Sequence, residues 1–282
     1  MRPETLLVDV SWSDPYRRTC SEAKASFSVK LPLLPSVSAR KPGKRQLDAL
    51  DEILSERTLK LVFQPIFEVA TGEVFGYEVL ARSPSSAFEG PEALYNAATR
   101  AGKVGELGRL QRMLAITAAP RSPLFINVHP AEFDHPFLVQ PDDPIFRHGE
   151  DVFLEVTESA PLSYFEQCSS VLGELRKKGI QVAIDDFGAG FSNVKYIADL
   201  APDIVKLDRE LMSQVHHGSR QFRLLISIVR LCKDMGARVV AEGIETTEEY
   251  VIAEHAGVDF CQGYLLGRPG KVAKGQSWAP AR

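Results

Sequence analysis

The fold is decided between residues 59 and 82, which read LKLVFQPIFEVATGEVFGYEVLAR. This stretch holds two apolar runs typical of β-strands, Leu59–Phe67 and Val74–Leu80. Only residues 68–73 separate them, and Thr71-Gly72 is typical of a turn. A crossover between parallel strands needs a dozen or more residues. The two runs are therefore predicted to pair antiparallel.

Beyond this hairpin, strand-like and helix-like runs alternate. The further predicted strands are Leu124–Val128, Val152–Val156, Gln181–Ile184, Ile204–Leu207, Arg238–Ala241 and Asp259–Cys261. The predicted helices are Glu92–Arg100, Glu106–Ala118, Tyr164–Lys178, Val194–Leu200, Arg220–Met235 and Glu248–Ala256. Such alternation predicts an α/β fold with a parallel sheet covered by helices. About eight strands suit a TIM-type (β/α)8 barrel, modified here by one antiparallel strand. A doubly wound open sheet is the alternative.

Residues 1–45 differ from the rest of the chain. They hold five prolines and end in a basic run at residues 40–45, so we predict an N-terminal extension or linker. A basic arm that touches a membrane surface or a nucleic acid is one interpretation, and a solvated tail is the other. Residues 46–282 are predicted to form one domain.

Composition narrows the class of protein. The chain has 282 residues, of which 44% are hydrophobic and 25% charged, as in ordinary soluble domains. No apolar run reaches the roughly 18 residues of a membrane span. The net charge of −4 gives no indication of a polynucleotide partner. The four cysteines form no Cys-x-x-Cys pair, which argues against structural zinc and a disulfide scaffold. A cytoplasmic location is expected.

Polar residues follow the apolar part of six predicted strands. In a barrel these strand ends converge on one face, where active sites lie. Five carboxylates on one face would repel one another without a cation, and oxygen ligands favour magnesium or manganese over zinc. The residues concerned are Glu78, Asn127, Glu155, Asp185 with Asp186, Lys206 and Glu242.

The Asp185-Asp186 pair and Lys206 each have an alternative interpretation. Adjacent residues on a strand face opposite sides, so Asp185 and Asp186 can reach metals together only where the strand bends. Residues 187–190, with two glycines, are predicted to supply that bend, and a plain Asp-rich turn is the alternative. Lys206 either acts on a water between two metals or forms a structural ion pair with Asp208 or Asp186.

Taken together, these residues resemble the EAL-domain family of cyclic di-GMP phosphodiesterases over about residues 58–270. The signature Glu-Ala-Leu corresponds to Glu78-Val79-Leu80, and Arg82 follows at the expected spacing. The other matching motifs, in order, are residues 63–66 (FQPI), 126–128 (INV), 154–158 (LEVTE), 185–190 (DDFGAG), 205–208 (VKLD), 241–245 (AEGIE) and 262–264 (QGY).

The resemblance implies a role for each site residue. One metal would be held by Glu78, Asn127, Glu155 and Asp185, and the second by Asp185, Asp186 and Glu242. Lys206 would contact the attacking water. The catalytic residues implied by the resemblance are Lys206, Glu78, Asp186 and Glu242. The dinucleotide would contact Gln64, Leu80, Arg82, Asp208 and Gln262. The loop anchors would be Glu158 and Glu245. Glu158 would hold the loop of residues 187–193, which helps to form the second metal site and the homodimer contact.

The implied activity is hydrolysis of cyclic di-GMP to linear pGpG with two divalent cations, Mg²⁺ or Mn²⁺. The alternatives are a catalytically silent cyclic di-GMP receptor and a protein-interaction module. The departures from the family pattern are small. Val79 replaces the usual alanine, and His129 stands where serine is usual. His129 is predicted to pack or hydrogen-bond locally rather than to bind metal.

Overall fold

A computed structural model of the protein describes residues 42–133, 138, 140–157, 171–189, 194–213, 215–272 and 276–278. The chain divides into two units, residues 1–40 and residues 41–282, and every described residue lies in the second unit. The predicted extension therefore lies almost wholly outside the described residues, as do Cys20, Cys168, Glu158 and Gly190.

Eight strands form a closed barrel in the order β1 to β8. Strand β1 is antiparallel to both β2 and β8, and all other neighbouring strands are parallel. This confirms the modified barrel with one antiparallel strand and excludes the open sheet. The strands are β1 (Lys60–Glu68), β2 (Val74–Arg82), β3 (Leu124–Asn127), β4 (Val152–Thr157), β5 (Gln181–Phe187), β6 (Ile204–Leu207), β7 (Arg238–Ala241) and β8 (Phe260–Cys261).

The helices follow the predicted positions to within two residues where both are described. They are α1 (Lys44–Glu56), α2 (Pro91–Arg100), α3 (Val104–Ala118), α4 (171–177), α5 (Lys195–Leu200), α6 (Arg209–Met212), α7 (Arg220–Asp234) and α8 (Thr247–Ala256). Helix α4 is the described part of the predicted run 164–178. No helix within these ranges has both the length and the apolar character needed to cross a membrane.

Helix α1, like the short α6, is not among the helices predicted from the sequence. It begins at Lys44, two residues before the predicted start of the domain at residue 46. Ala49, Leu50 and Ile53 are buried on one face of this helix, in a cluster shared with α2 and α3. The spacing of these three residues is helical, but charged residues surround them, and the basic run at 40–45 suggested a linker.

The barrel interior is built in two layers. The lower layer is apolar and consists of Ile66, Phe125, Phe153, Ala183, Ile204, Val240 and Phe260, with Phe75 packed against it. The Arg238 guanidinium lies 5.1 Å from the centre of the Phe75 ring and 5.2 Å from that of Phe260. Because side chains on a strand alternate, each inward residue two positions further along reaches the next layer.

Candidate active site

The upper layer of the barrel interior is polar. Moving two residues along from Phe125, Phe153 and Ala183 leads to Asn127, Glu155 and Asp185. The same step from Ile204, Val240 and Phe260 leads to Lys206, Glu242 and Gln262. Strand β2 contributes Glu78 at the same level, directly opposite Gln64 of β1. The structure therefore brings together the residues that the strand-end pattern singled out.

Lys206 lies at the centre of this layer and is 1% exposed. Its Nζ lies 2.7 Å from a carboxylate oxygen of each of Glu155, Asp185 and Glu242. Glu78 Oε2 is 3.7 Å away. Burial by itself lowers the pKa of Lys206, but the surrounding carboxylates raise this pKa well above its ordinary value. The amine therefore stays protonated and acts as a fixed positive charge.

Lys206 does not form the alternative ion pair with Asp208 or Asp186. The Asp208 carboxylate accepts a hydrogen bond from the backbone N–H of Glu210 at 2.7 Å and caps helix α6. The described ion pairs of Lys206 are with Glu78, Glu155, Asp185 and Glu242, and neither Asp186 nor Asp208 is among them.

The carboxylates exceed the positive charge available to them. Glu155 is buried; its Oε1 makes an ion pair with Lys206 outside hydrogen-bond geometry, and its Oε2 has no hydrogen-bond partner among the described residues. Burial raises the pKa of Glu155 well above its ordinary range despite the charge of Lys206. Burial likewise raises the pKa of Glu242 to about 8. Such a cluster is suited to bind additional cations.

Asp185 and Asp186 reach the same region because strand β5 bulges there. The β5–β6 pairing is interrupted between Ile184 and Phe187, and Asp186 has a φ of 56°, in the left-handed region. The bend thus lies at Asp186 itself, one residue before the segment predicted to supply it. Asp185, Asp186 and Glu242 each place a carboxylate oxygen within 4.8 Å of the others. Partial burial and then the charge of Asp185 raise the pKa of Asp186 to about 6.

Glu78 is held by two amides. Its Oε1 accepts from Asn127 Nδ2 at 3.4 Å, and its Oε2 accepts from Gln262 Nε2 at 2.5 Å. Gln262 is only 3% exposed, so in this structure it supports Glu78 from within the barrel. Gln64 is also buried and donates to the carbonyl of Gly267 at 3.2 Å.

The remaining predicted contacts surround the mouth of the site. Leu80 is half-buried, and the half-buried Arg82 donates to the carbonyl of Ala81 at 2.9 Å. Asp208 and Glu245 line a cleft of about 270 Å³ that also reaches Glu78, Glu242 and Gln262. The Glu245 carboxylate makes a two-pronged ion pair with Arg209 at 2.7 and 3.0 Å. Glu158 lies outside the described residues.

Comparison of the sequence with known protein families assigns the chain to a family. The model of the EAL domain family matches residues 47–269. The chain belongs to the EAL domain family. The match includes every strand of the barrel and all described residues of the polar layer.

Known proteins with similar EAL domains include enzymes and nucleotide complexes. The chain is 29% identical over 240 residues to the cyclic di-GMP phosphodiesterase NbdA of Pseudomonas aeruginosa, covering 79% of this chain and 30% of that protein. A manganese and cyclic di-GMP complex of Klebsiella pneumoniae BlrP1 is 33% identical, with a TM-score of 0.65 over 75% of this chain and 56% of that one. A cyclic di-GMP complex of the PaMucR phosphodiesterase is 27% identical, with a TM-score of 0.65 over 80% of this chain and 98% of that one. The chain spans about a third of the length of the first curated relatives it matches.

Several residues around the site of this EAL domain have no role predicted from the sequence. Tyr264 is 51% exposed and lines the cleft, with Arg268 stacked 4.3 Å from its ring centre. Arg209 also lines the cleft. The motif at residues 262–264 includes Tyr264, but the exposure of the Tyr264 side chain in the cleft beside Glu78 depends on the path of the chain after β8. His129 accepts a hydrogen bond from the backbone N–H of Ala131, which confirms its predicted local role.

Proposed function

We propose that this EAL domain hydrolyses one phosphodiester bond of cyclic di-GMP and releases linear pGpG, using two Mg²⁺ or Mn²⁺ ions. The supporting observation is the polar layer, in which several carboxylates meet around the buried Lys206 and the Glu155 Oε2 atom lacks a hydrogen-bond partner among the described residues. Carboxylate and amide oxygens are the ligands of hard divalent cations. The donor set therefore fits Mg²⁺ or Mn²⁺.

Each residue of the layer has a role in this proposal. Glu78, Asn127, Glu155 and Asp185 would hold one ion, and Asp185, Asp186 and Glu242 the other. When bound, the ions supply Lewis acidity to the phosphoryl group and to a water. Lys206 contributes a positive charge fixed beside the phosphate on which negative charge develops. The reaction adds one water: its hydroxyl joins phosphorus, the bond to the 3′ oxygen breaks, and that oxygen takes up a proton.

The similarities support the same substrate. NbdA is named as a cyclic di-GMP phosphodiesterase, and BlrP1 and PaMucR are complexed with cyclic di-GMP. Gln64, Leu80, Arg82, Asp208 and Gln262 remain the proposed dinucleotide contacts.

The predicted homodimer and cytoplasmic location belong to the same proposal, and light scattering of the purified protein tests the dimer.

Incubation of the purified protein with cyclic di-GMP and Mn²⁺ or Mg²⁺ is expected to yield pGpG, measured by chromatography. Removal of metal by a chelator should stop the reaction. Glu78→Gln should reduce turnover by at least about 100-fold, because it removes a metal-holding charge while keeping the size of the side chain. The matched control is Glu174→Gln, which alters an exposed glutamate on helix α4 and should leave turnover unchanged.

Other outcomes of this assay identify the alternatives. Tight binding of cyclic di-GMP without pGpG formation, at any metal concentration, would replace the enzyme by a receptor. If neither binding nor turnover is detected, a protein-interaction module becomes the better description.

A further inference from the structure

A second ionic cluster lies between helix α3 and the segments that follow β3. It consists of Arg112, Glu132 and Asp143, which are 1%, 1% and 0% exposed. Arg112 donates from one terminal nitrogen to Glu132 Oε2 at 2.7 Å. Its Nε and other terminal nitrogen donate to Asp143 Oδ2 at 3.1 and 2.9 Å. This arrangement uses the fork geometry that distinguishes arginine from lysine.

The cluster is connected to a predicted metal ligand by a short path. Asn127 ends strand β3, and the next backbone amide, that of Val128, donates to the carbonyl of Glu155 at 3.0 Å. The N–H of His129 then donates to Glu132 Oε1 at 3.1 Å. The Glu132 carboxylate therefore joins Arg112 on one side to the backbone two residues after Asn127 on the other.

Helix α3 contains a glycine where this carboxylate lies. A Cβ atom at Gly108 would overlap all three atoms of the Glu132 carboxylate group. Glycine is unfavourable inside a helix, yet Gly108 lies within helix α3, which is continuous over residues 104–118. The Glu132 carboxylate cannot easily move aside, because Arg112 and the His129 N–H both hold it. Gly108 therefore leaves the space that the ionic cluster requires.

Packing alone does not account for these residues. Replacing a buried ionic set by apolar side chains of similar volume often leaves stability unchanged or raises it. Directional hydrogen bonds, in contrast, fix a backbone segment in one position. Asn127, a proposed metal ligand, lies at the start of such a segment, and its amide donates to Glu78, as does that of Gln262.

We propose that Arg112 and Glu132, in the space left by Gly108, position Asn127 for metal binding. This inference rests on the proposed function, because it assigns Asn127 to the first metal. Arg112, Glu132 and Gly108 are positioning residues, since they act through the backbone after β3. Outer partners of metal ligands typically contribute 10- to 100-fold to metal affinity.

The test is Mn²⁺ binding measured by isothermal titration calorimetry without substrate, on variants shown by circular dichroism to be folded. Gly108→Ala should weaken Mn²⁺ binding by at least about tenfold, although alanine favours the helix. Its control is Gly173→Ala in helix α4, where a Cβ meets no atom within 4 Å and binding should not change. Adding Glu132→Asp to Gly108→Ala shortens the acid, and should recover part of the affinity.

A second pair of variants addresses the charge. Arg112→Met should also weaken Mn²⁺ binding by at least about tenfold. Arg109→Met is its control: Arg109 lies one turn earlier on α3 and pairs at the surface with Asp142, next to Asp143. If Arg112→Met does not fold, Gly108→Ala decides. Equal Mn²⁺ affinity in the wild type, Gly108→Ala and every folded variant overturns the inference alone. A wild type that binds no Mn²⁺ overturns the proposed function as well.

Discussion

Lys206→Met is expected to destabilise the metal-free protein by about 3–5 kcal/mol and to reduce turnover by at least about 100-fold. The stability loss follows from the position of Lys206, whose ammonium lies within 2.7 Å of three carboxylates. Without it, buried negative charges lose their only nearby described cation. The turnover loss follows because the fixed charge beside the reacting phosphate is removed.

Thermal unfolding in a chelator and then in Mn²⁺ measures the first effect. The midpoint of the metal-free variant should fall by on the order of 10 °C. Mn²⁺ should restore part of this loss, because it binds the folded state and replaces the missing positive charge. Lys177→Met is the control: its ammonium is also 2.7 Å from a carboxylate, that of Glu174, but the pair is exposed and contributes little. An unchanged midpoint for metal-free Lys206→Met would contradict the interpretation of Lys206 as a buried counterion.

Asp186→Gly is expected to stabilise the metal-free protein by about 1 kcal/mol while abolishing turnover. Stability should rise because Asp186 has a φ of 56°, which glycine adopts without a Cβ clash, and because a charge next to Asp185 is removed. Turnover should be lost because Asp186 is a proposed ligand of the second metal. The same variant should gain less stability than the wild type when Mn²⁺ is added.

The control for Asp186→Gly is Arg57→Gly. Arg57 also has a φ of 56°, but it is exposed at the end of helix α1 and is not part of the polar layer. Its replacement should relieve the same backbone strain and leave turnover unchanged. If Asp186→Gly retained normal turnover, Asp186 would not be a metal ligand. If it lowered metal-free stability while Arg57→Gly raised it, the carboxylate would be stabilising the bulge.

Much of the barrel follows from local properties of the sequence. The five residues between the first two strands are too few for a crossover, so β1 had to be antiparallel to β2. The polar residue that follows the apolar run of each strand placed Glu155 and Lys206 on one face of the barrel before any contact was known. Strand and helix positions were close to those observed because backbone periodicity and turn residues act over a few positions.

Other features depended on contacts between distant parts of the chain. Closure of the barrel brings Gln262 to Glu78, which is 184 residues earlier, and gathers the carboxylates around Lys206. The left-handed backbone at Asp186 depends on the interrupted pairing with β6, and the packing of α1 depends on α2 and α3. The sequence alone determined which polar residues gather at one face of the barrel, because the order of strand, polar residue and helix is local. Only the tertiary structure decided which charges meet, because burial and pairing depend on residues that the chain brings together when it closes.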